Sequence, residues 1–236
     1  MKALLLAAGF GTRLHPLTQN TPKCLMRVGD KPMLDHWLYK LERLGVTEFI
    51  INTHYLAEKV HDFIDSHSLK SKIKLSFEPK LLGTANTLIR NLDALKNDDC
   101  FIVHVDNYCA DTLDKMIEQF RRRPQTCVAT MLVFHTNRPT ECGIIEYDHN
   151  KIVTGFYEKV VSPPSNVANG AVYLFSERYL HQLQQQKVLL TDISIDIIPT
   201  LLGKMNCYFT HDYFQDIGKP ETLDHANKWY MAALSK

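Results

Sequence analysis

The 236-residue sequence predicts an α/β fold, a mostly parallel sheet covered by helices. Three observations carry that prediction. Apolar runs of strand length alternate with segments of helical period through the first half. Several of those runs are continuous rather than alternating, as strands buried on both faces require. Hydrophobic residues are 45% and charged residues 22% of the chain, so a core of useful size needs no staples.

The elements follow in order. Lys2 to Ala7 is a buried first strand that runs into a glycine-rich loop. The break at Gly9-Phe10-Gly11-Thr12-Arg13, with no cleavage pattern after it, separates this run from a secretion signal. Met33, Leu34, Trp37, Leu38, Leu41 and Leu44 repeat at helical spacing, and Gly45 supplies a stop. Thr47 to Asn52 is β-rich. Leu56, Val60, Phe63 and Ile64 share one helical face, and Ile73, Leu75 and Phe77 alternate as in a half-buried strand. Leu88, Ile89, Leu92 and Leu95 return to helical spacing, and Cys100 to Val105 is another buried strand with Asp106 just beyond it.

The second half is less regular. Cys127 to Phe134 reads as a strand. Gly143 to Tyr147 and Lys151 to Tyr157 read as a hairpin around Asp148-His149-Asn150. Asn169 to Phe175 is a further strand. Ile193, Ile197, Ile198, Leu201 and Leu202 suggest a helix, although Pro199 weighs against it. Asn206 to Thr210 is a short strand, and Pro220 opens a final helix running to the C-terminus. No linker composition or repeat divides the chain, so residues 1–236 read as a single domain.

Charge and cysteine usage exclude several functions. Lys plus Arg total 27 against 26 Asp plus Glu, which gives no global pull toward nucleic acid or an anionic membrane. No segment has the length of a membrane span. The run Arg121-Arg122-Arg123 before Pro124 suits the negative end of a helix better than a nucleic-acid patch. The six Cys form no C-x-x-C pair, and the eleven His lack zinc spacing. Reduced thiols in a cytoplasmic compartment are the expectation.

The chemistry concentrates first in Leu6-Ala7-Ala8-Gly9-Phe10-Gly11-Thr12-Arg13-Leu14. Glycines let backbone N–H groups approach a phosphate, and an Arg can fork onto its oxygens. The dinucleotide-binding G-x-G-x-x-G fails because Leu14 replaces the third glycine, and the Walker A ending is absent. Alone, such a G-x-G is equally a tight β-to-helix turn. Thr21-Pro22-Lys23 brings a second cation ten residues later.

Together with Pro16-Leu17-Thr18 and Lys31-Pro32-Met33-Leu34, these motifs resemble the sugar-1-phosphate nucleotidylyltransferases. Leu82-Gly83-Thr84-Ala85, Val105-Asp106-Asn107, Tyr157-Glu158-Lys159, Asn169-Gly170 and Asp216-Ile217-Gly218-Lys219-Pro220-Glu221 extend the resemblance, in family order, over nearly the whole chain. The resemblance implies a Rossmann-like, mostly parallel sheet sandwiched by helices, with a smaller mixed β region for the sugar. It also implies one nucleotidyltransferase domain across 1–236.

The resemblance assigns roles residue by residue. Leu6, Ala8, Gly9, Gly11, Thr12, Arg13, Lys23, Glu78, Gly83 and Thr84 fall at nucleotide-binding positions. Asp106 and Asp216 fall at the family's Mg²⁺ ligands. Gly143, Glu158, Lys159 and Asn169 fall at sugar-binding positions, and Arg13, Lys23, Asp106 and Lys159 carry the catalytic roles. Two departures stand out: Cys142 replaces an aromatic residue before Gly143, and His104-Val105 lacks the glycine common before Asp106.

The implied reaction joins an NTP to a sugar 1-phosphate, releasing pyrophosphate and an NDP-sugar. Glu78-Pro79-Lys80-Leu81-Leu82-Gly83-Thr84-Ala85 is closest to the pattern of mannose- and heptose-1-phosphate guanylyltransferases, which favours GTP. A uridylyl-, thymidylyl- or cytidylyltransferase acting on another sugar phosphate or small phosphate ester is the alternative. A non-catalytic subunit of the same fold is the rival from another class, and retention of Arg13, Lys23, Asp106 and Asp216 argues against it. The chain ends soon after its last helix without hexapeptide repeats, so a second, acyltransfer activity is not expected. Neither nucleic acid nor membrane is an expected partner, and homo-oligomerisation is left open.

Overall fold

A computed structural model describes residues 1–185 and 190–235. In chain order the strands are β1 (Lys2–Leu6), β2 (Arg27–Val28), β3 (Lys31–Pro32), β4 (Glu48–Thr53), β5 (Ile73–Phe77), β6 (Cys100–His104), β7 (Asn107–Cys109), β8 (Ala129–His135), β9 (Gly143–Tyr147), β10 (Val153–Glu158), β11 (Val167–Phe175), β12 (Met205–Phe209) and β13 (Phe214–Asp216). The helices are α1 (Met33–Arg43), α2 (Ala57–Asp65), α3 (Thr84–Arg90), α4 (Leu92–Leu95), α5 (Asp114–Arg121), α6 (Glu177–Gln185) and α7 (Pro220–Leu234). The class is the expected one, a mixed α/β fold with a central, mostly parallel sheet flanked by helices.

The chain falls into two compact units. One comprises Ala3–Leu81, His104–Ala110 and Asp212–Lys236. In it β1 lies beside β4, and β4 runs parallel to β5 with Phe49 opposite Ile73 and Thr53 opposite Phe77. Ala3, Leu4 and Leu5 of β1 and Phe49, Ile50 and Ile51 of β4 are fully buried, which accounts for their unbroken apolar runs. Helix α1 buries Met33, Leu34, Trp37, Leu38 and Leu41, and Gly45 follows at φ +86°, a conformation that favours glycine. Trp37 donates from its indole nitrogen to the Asn107 carbonyl (2.9 Å), tying α1 to β7. Helix α7 starts at Pro220, and the Lys219 N–H donates to Thr222 Oγ1 (3.1 Å). The final helix ends at Leu234 with Ser235 as its C-cap, and Lys236 lies outside the described residues.

The other unit comprises Met1–Lys2, Leu82–Val103 and Asp111–His211. Its strand order is β10-β9-β11-β6, with β8 paired to both β11 and β12. The β11 pairings are antiparallel, whereas β12 runs parallel to β8. The β9–β10 hairpin turns where the Asp148 carboxylate accepts from Asn150 and Ile152 N–H (both 2.9 Å). Arg123 caps the end of α5 by donating to the Phe120 carbonyl (2.6 Å) and stacks on the Phe120 ring, consistent with a helix-terminal role for the arginine run.

Two expected helices differ from the sequence reading. Residues 84–95 form two helices split at Asn91, whose side chain donates back to the Thr87 carbonyl (2.8 Å). The helix expected over 193–202 is a π-helical turn, Ile193–Ile197, followed by a 3₁₀ turn, Ile198–Leu201. Pro199 lacks the N–H that a continuous α-helix needs.

Candidate active site

The first group of candidate functional residues lies in the unit that starts at Ala3. Strand β1 delivers Leu6, and the chain leaves it through Ala8 and Gly9. Gly11 adopts φ +65°, and a Cβ there would press on Thr18 (3.0 Å) and Lys23 (3.2 Å). Thr18, fully buried, donates its hydroxyl to the Gly11 carbonyl (2.8 Å), which explains the Pro16-Leu17-Thr18 motif as a brace under the glycine loop. Thr12 and Arg13 sit in the short turn that follows.

Lys23 is the hub. It is 8% exposed, and its ammonium donates to Asp106 Oδ2 and lies 3.9 Å from Asp216 Oδ1. Arg13 reaches within 4.0 Å of Asp216 Oδ2. Asp106 turns the chain between β6 and β7, and Asp216 ends β13; these short strands pair with Asp216 opposite Asn107. The Ile217 N–H donates to the Asp106 carbonyl (3.0 Å), fixing the two acidic residues side by side. A side chain at Gly218 would meet Asp216 Oδ1 (2.6 Å) and the Arg13 guanidinium (2.9 Å), so the glycine of Asp216-Ile217-Gly218 makes room for that pair.

The carboxylates are unequal. Desolvation opposes charge on Asp106, but the Lys23 and His104 charges and its hydrogen bonds outweigh it and hold its pKa below the ordinary value. Desolvation, reinforced by the negative charge of Asp106, raises Asp216. Two carboxylates thus converge on one ammonium, where a further negative group meets cations on one side and anions on the other.

Glu78 is fully buried just beyond β5. Its Oε1 accepts from Asn52 Nδ2 (3.0 Å), and its carbonyl accepts from His54 Nδ1 (2.7 Å). Asn52 Oδ1 in turn accepts from the Ala7 N–H (2.7 Å). Glu78 therefore sits behind the glycine loop rather than on its surface, and Asn52 joins the two. Phe10 packs edge-on to His54 at the loop's tip. Asn52 and His54 escaped the sequence reading. Their signal was the polar Asn52-Thr53-His54-Tyr55 at the end of a buried apolar strand, where open α/β sheets gather ligands.

The second group lies in the other unit. Gly143 pairs with Glu158 across the β9–β10 hairpin, and Ala168 of β11 pairs with Ile144, so Gly143, Glu158 and Asn169 share one end of three adjacent strands. A Cβ on Gly143 would collide with Glu158 Oε2 (2.6 Å) and the Phe156 ring (2.7 Å). Lys159 takes φ +50° and pairs with Glu158 Oε1 (3.0 Å), and its N–H donates to the Cys142 carbonyl (3.1 Å). The Cys142 substitution leaves that backbone link in place. Asn169 donates to Tyr173 Oη (2.7 Å) and accepts from the Ala171 N–H (2.8 Å), forming a bulge in β11.

Gly83 and Thr84 open α3 in this same unit. Gly83 has φ +81°, and the Thr191 carbonyl oxygen fills the space beside it. Thr84 donates its hydroxyl to Asp192 Oδ2 (3.1 Å) and accepts from the Ile193 N–H (2.8 Å). Thr84 thus shapes the turn from within.

The nucleotidyl transferase family model matches residues 2–232. The chain is 30% identical over 231 residues to a Sulfolobus acidocaldarius protein described as a mannose-1-phosphate guanyltransferase, covering 96% of this chain and 62% of that one. It is 27% identical over 244 residues to the mannose-1-phosphate guanyltransferase of Schizosaccharomyces pombe, covering 100% of this chain and 66% of the relative. The chain therefore spans a little under two thirds of the length of these relatives. A Bacillus anthracis protein described as a glucose-1-phosphate thymidylyltransferase, solved in complex with a sucrose, superposes with TM-score 0.86 at 26% identity, over 97% of this chain and 94% of that one. With the glycine loop, the paired acidic residues and a family match over nearly its full length, this chain belongs to the nucleotidyl transferase family.

Proposed function

We propose that this protein transfers a nucleotidyl group from an NTP, preferably GTP, to a sugar 1-phosphate of mannose or heptose type. The observation that carries the reading is the convergence of Asp106 and Asp216 on Lys23, with Arg13 beside Asp216 at the glycine loop. The GTP and sugar preference rests on the Glu78-to-Ala85 motif and on the two mannose-1-phosphate guanyltransferase relatives.

A phosphate oxygen of the acceptor attacks the α-phosphorus, forming the new O–P bond. The bond from α-phosphorus to the bridging oxygen breaks, and pyrophosphate leaves with the electron pair. The acceptor is already an anion, so no protein nucleophile is required. Arg13 and Lys23 offset the charge that builds on pyrophosphate. Lys159 holds the sugar phosphate, while Glu158 accepts from sugar hydroxyls and Asn169 lines the same strand end.

Asp106 and Asp216 would hold Mg²⁺. The donor set supports this, because both are hard carboxylates already arranged around one positive charge. Among the described residues no cluster of three or more His, Cys, Asp or Glu forms a self-sufficient metal site. That suits Mg²⁺, which takes one or two carboxylates and completes its shell with water and substrate phosphates. When bound, the ion supplies charge neutralisation on the phosphates.

Among the described residues no helix is long and apolar enough to cross a membrane. All six cysteines are free thiols, which fits a reducing, cytoplasmic setting. The deciding experiment is a pyrophosphate-release screen of the common NTPs against a panel of sugar 1-phosphates. GTP with mannose or heptose 1-phosphate should turn over fastest. Absence of pyrophosphate from every pair refutes the reading.

A further inference from the structure

The end of β4 and the start of α2 hold the glycine loop at several points, all within the unit that starts at Ala3. At the loop's entry, the Ala7 N–H donates to Asn52 Oδ1 (2.7 Å). A backbone N–H can only donate, so this bond fixes which way the Asn52 amide points and aims its Nδ2 at Glu78 Oε1 (3.0 Å). Asn52 is 4% exposed and Glu78 has no exposed surface, so water is a poor substitute for either partner.

At the tip, the Phe10 ring packs against His54 (centroids 5.3 Å apart) and Tyr55 (5.6 Å). His54 is itself pinned, because its Nδ1 donates to the Glu78 carbonyl (2.7 Å). At the exit, the Tyr55 hydroxyl lies within donating distance of the Thr18 (3.0 Å) and Gln19 (3.2 Å) carbonyls. The Lys59 ammonium donates to the next carbonyl, that of Asn20. Thr18 passes this anchorage to the middle of the loop through its hydroxyl on the Gly11 carbonyl (2.8 Å). Thr12 and Arg13 sit between the two anchored ends. Backbone N–H groups and a guanidinium bind an anion well only when they already point at it.

We propose that Asn52 and Tyr55 are positioning residues for the NTP: they grip the glycine loop at its entry and exit, and Asn52 ties the entry to Glu78. The inference rests on the reading that this loop receives the triphosphate. Both side chains act through main-chain groups of the loop rather than on the substrate. Their role is to hold the loop in shape before the NTP arrives, so that its ordering is not subtracted from binding.

Hydrogen exchange on the intact protein reads the grip with no substrate present. Asn52→Ala should speed exchange at Ala7, whose N–H loses its acceptor. Tyr55→Phe should speed it at Leu17 and Gln19, which donate to the Leu14 (3.0 Å) and Pro16 (3.1 Å) carbonyls beside the exit. Both variants should speed Leu14, whose N–H donates to the Gly11 carbonyl (2.9 Å) in the middle of the loop. Unchanged exchange at Leu14 in both overturns the grip. Steady-state kinetics read the role. Each variant should raise the NTP KM by about 5-fold or more and leave the sugar-phosphate KM within about 2-fold of wild type. Equal rises in both KM values mark general loosening and overturn the proposal. A swap tests the Glu78 arm: Asn52→Asp sets two carboxylates together, and adding Glu78→Gln restores a donor while keeping an acceptor toward Ala7. The NTP KM of the double variant should return to within about 2-fold of Glu78→Gln alone, and no recovery overturns that arm. Should the Asn52 variants fail to fold, Tyr55→Phe keeps the test, since an unchanged NTP KM with unchanged exchange at Leu14 overturns the proposal. A wild type that releases no pyrophosphate refutes the function instead. The exchange pattern then still decides the grip, and calorimetric titration with GTP and Mg²⁺ replaces KM: equal affinity in wild type and both variants overturns the role.

Discussion

The carbonyl oxygen of Thr191 occupies the space that a side chain on Gly83 would need, and Gly83 itself sits at φ +81°. Two independent constraints, a left-handed backbone and a backbone neighbour that cannot swing away, therefore demand glycine here. Gly83→Ala should lose roughly 1 to 3 kcal/mol. For a chain of this size that lowers the thermal midpoint by roughly 2 to 4 °C for each kcal/mol. A calorimetric scan of the variant checks it, and an unchanged midpoint would show that the Thr191 backbone yields freely.

Asp106 and Asp216 supply the carboxylate oxygens nearest to Lys23. Asp106→Asn and Asp216→Asn should each reduce turnover by roughly 100-fold or more while the far-ultraviolet spectrum stays native. EDTA should silence the wild type, with recovery on adding Mg²⁺. Wild-type rates in EDTA would remove the metal from the mechanism.

Arg13 and Lys159 belong to different substrates in the proposed reaction. Arg13→Ala should raise the NTP KM and lower kcat, since charge-assisted contacts to phosphate contribute roughly 1.5 to 3 kcal/mol. Lys159→Ala should act instead on the sugar phosphate. Initial-rate measurements varying one substrate at a time separate the two, and identical profiles for both variants would defeat the assignment.

Cys142 is the partly exposed member of six free thiols, the other five being buried. Burial pushes the Cys24 and Cys207 thiols up to about 12, which starves them of reactive thiolate. Brief alkylation of the native protein followed by mass spectrometry should show modification at Cys142 first, and unfolding should release all six. Early labelling of Cys24 would contradict this packing.

Asp196 accepts from the Asp192 and Thr191 backbones and from the Thr191 hydroxyl, and these bonds lower its pKa below the ordinary 3.8. A depressed pKa in the folded state means its stabilising contribution is complete above that value and is lost as pH falls through the folded pKa. The stability difference between wild type and Asp196→Asn should therefore be constant near neutrality and shrink on acidification below about 3.8. Urea titrations at a series of pH values measure it, and a constant difference down to acid would show that these bonds do not depend on the charge.

Much of this molecule is legible in one dimension. The apolar run of β1 and the glycines after it announce a buried strand and a tight loop. The spacing of Met33, Leu34, Trp37, Leu38 and Leu41 announces α1 and its buried face. Both follow from local physics: a helix or strand repeats at a fixed period, and a left-handed turn requires glycine. Pro199 weighed against the helix read over 193–202, and the chain there forms one wide π-helical turn and one tight 3₁₀ turn instead.

What the sequence alone left open is which polar groups meet. The motifs placed Lys23, Asp106 and Asp216 in one series, but the return of β13 beside β7 is what sets both carboxylates around one ammonium. Asn52 looked like the end of a strand until the fold put its amide between Ala7 and Glu78. Nothing along Thr191-Asp192 marks a partner, yet the Asp192 carboxylate accepts from Thr84 and the Ile193 N–H donates back to the same hydroxyl. Hydrophobic burial selects residues by type and spacing, and that is written along the chain. Hydrogen bonds select partners by distance and angle to within a few tenths of an ångström, and only the folded backbone brings such partners into range.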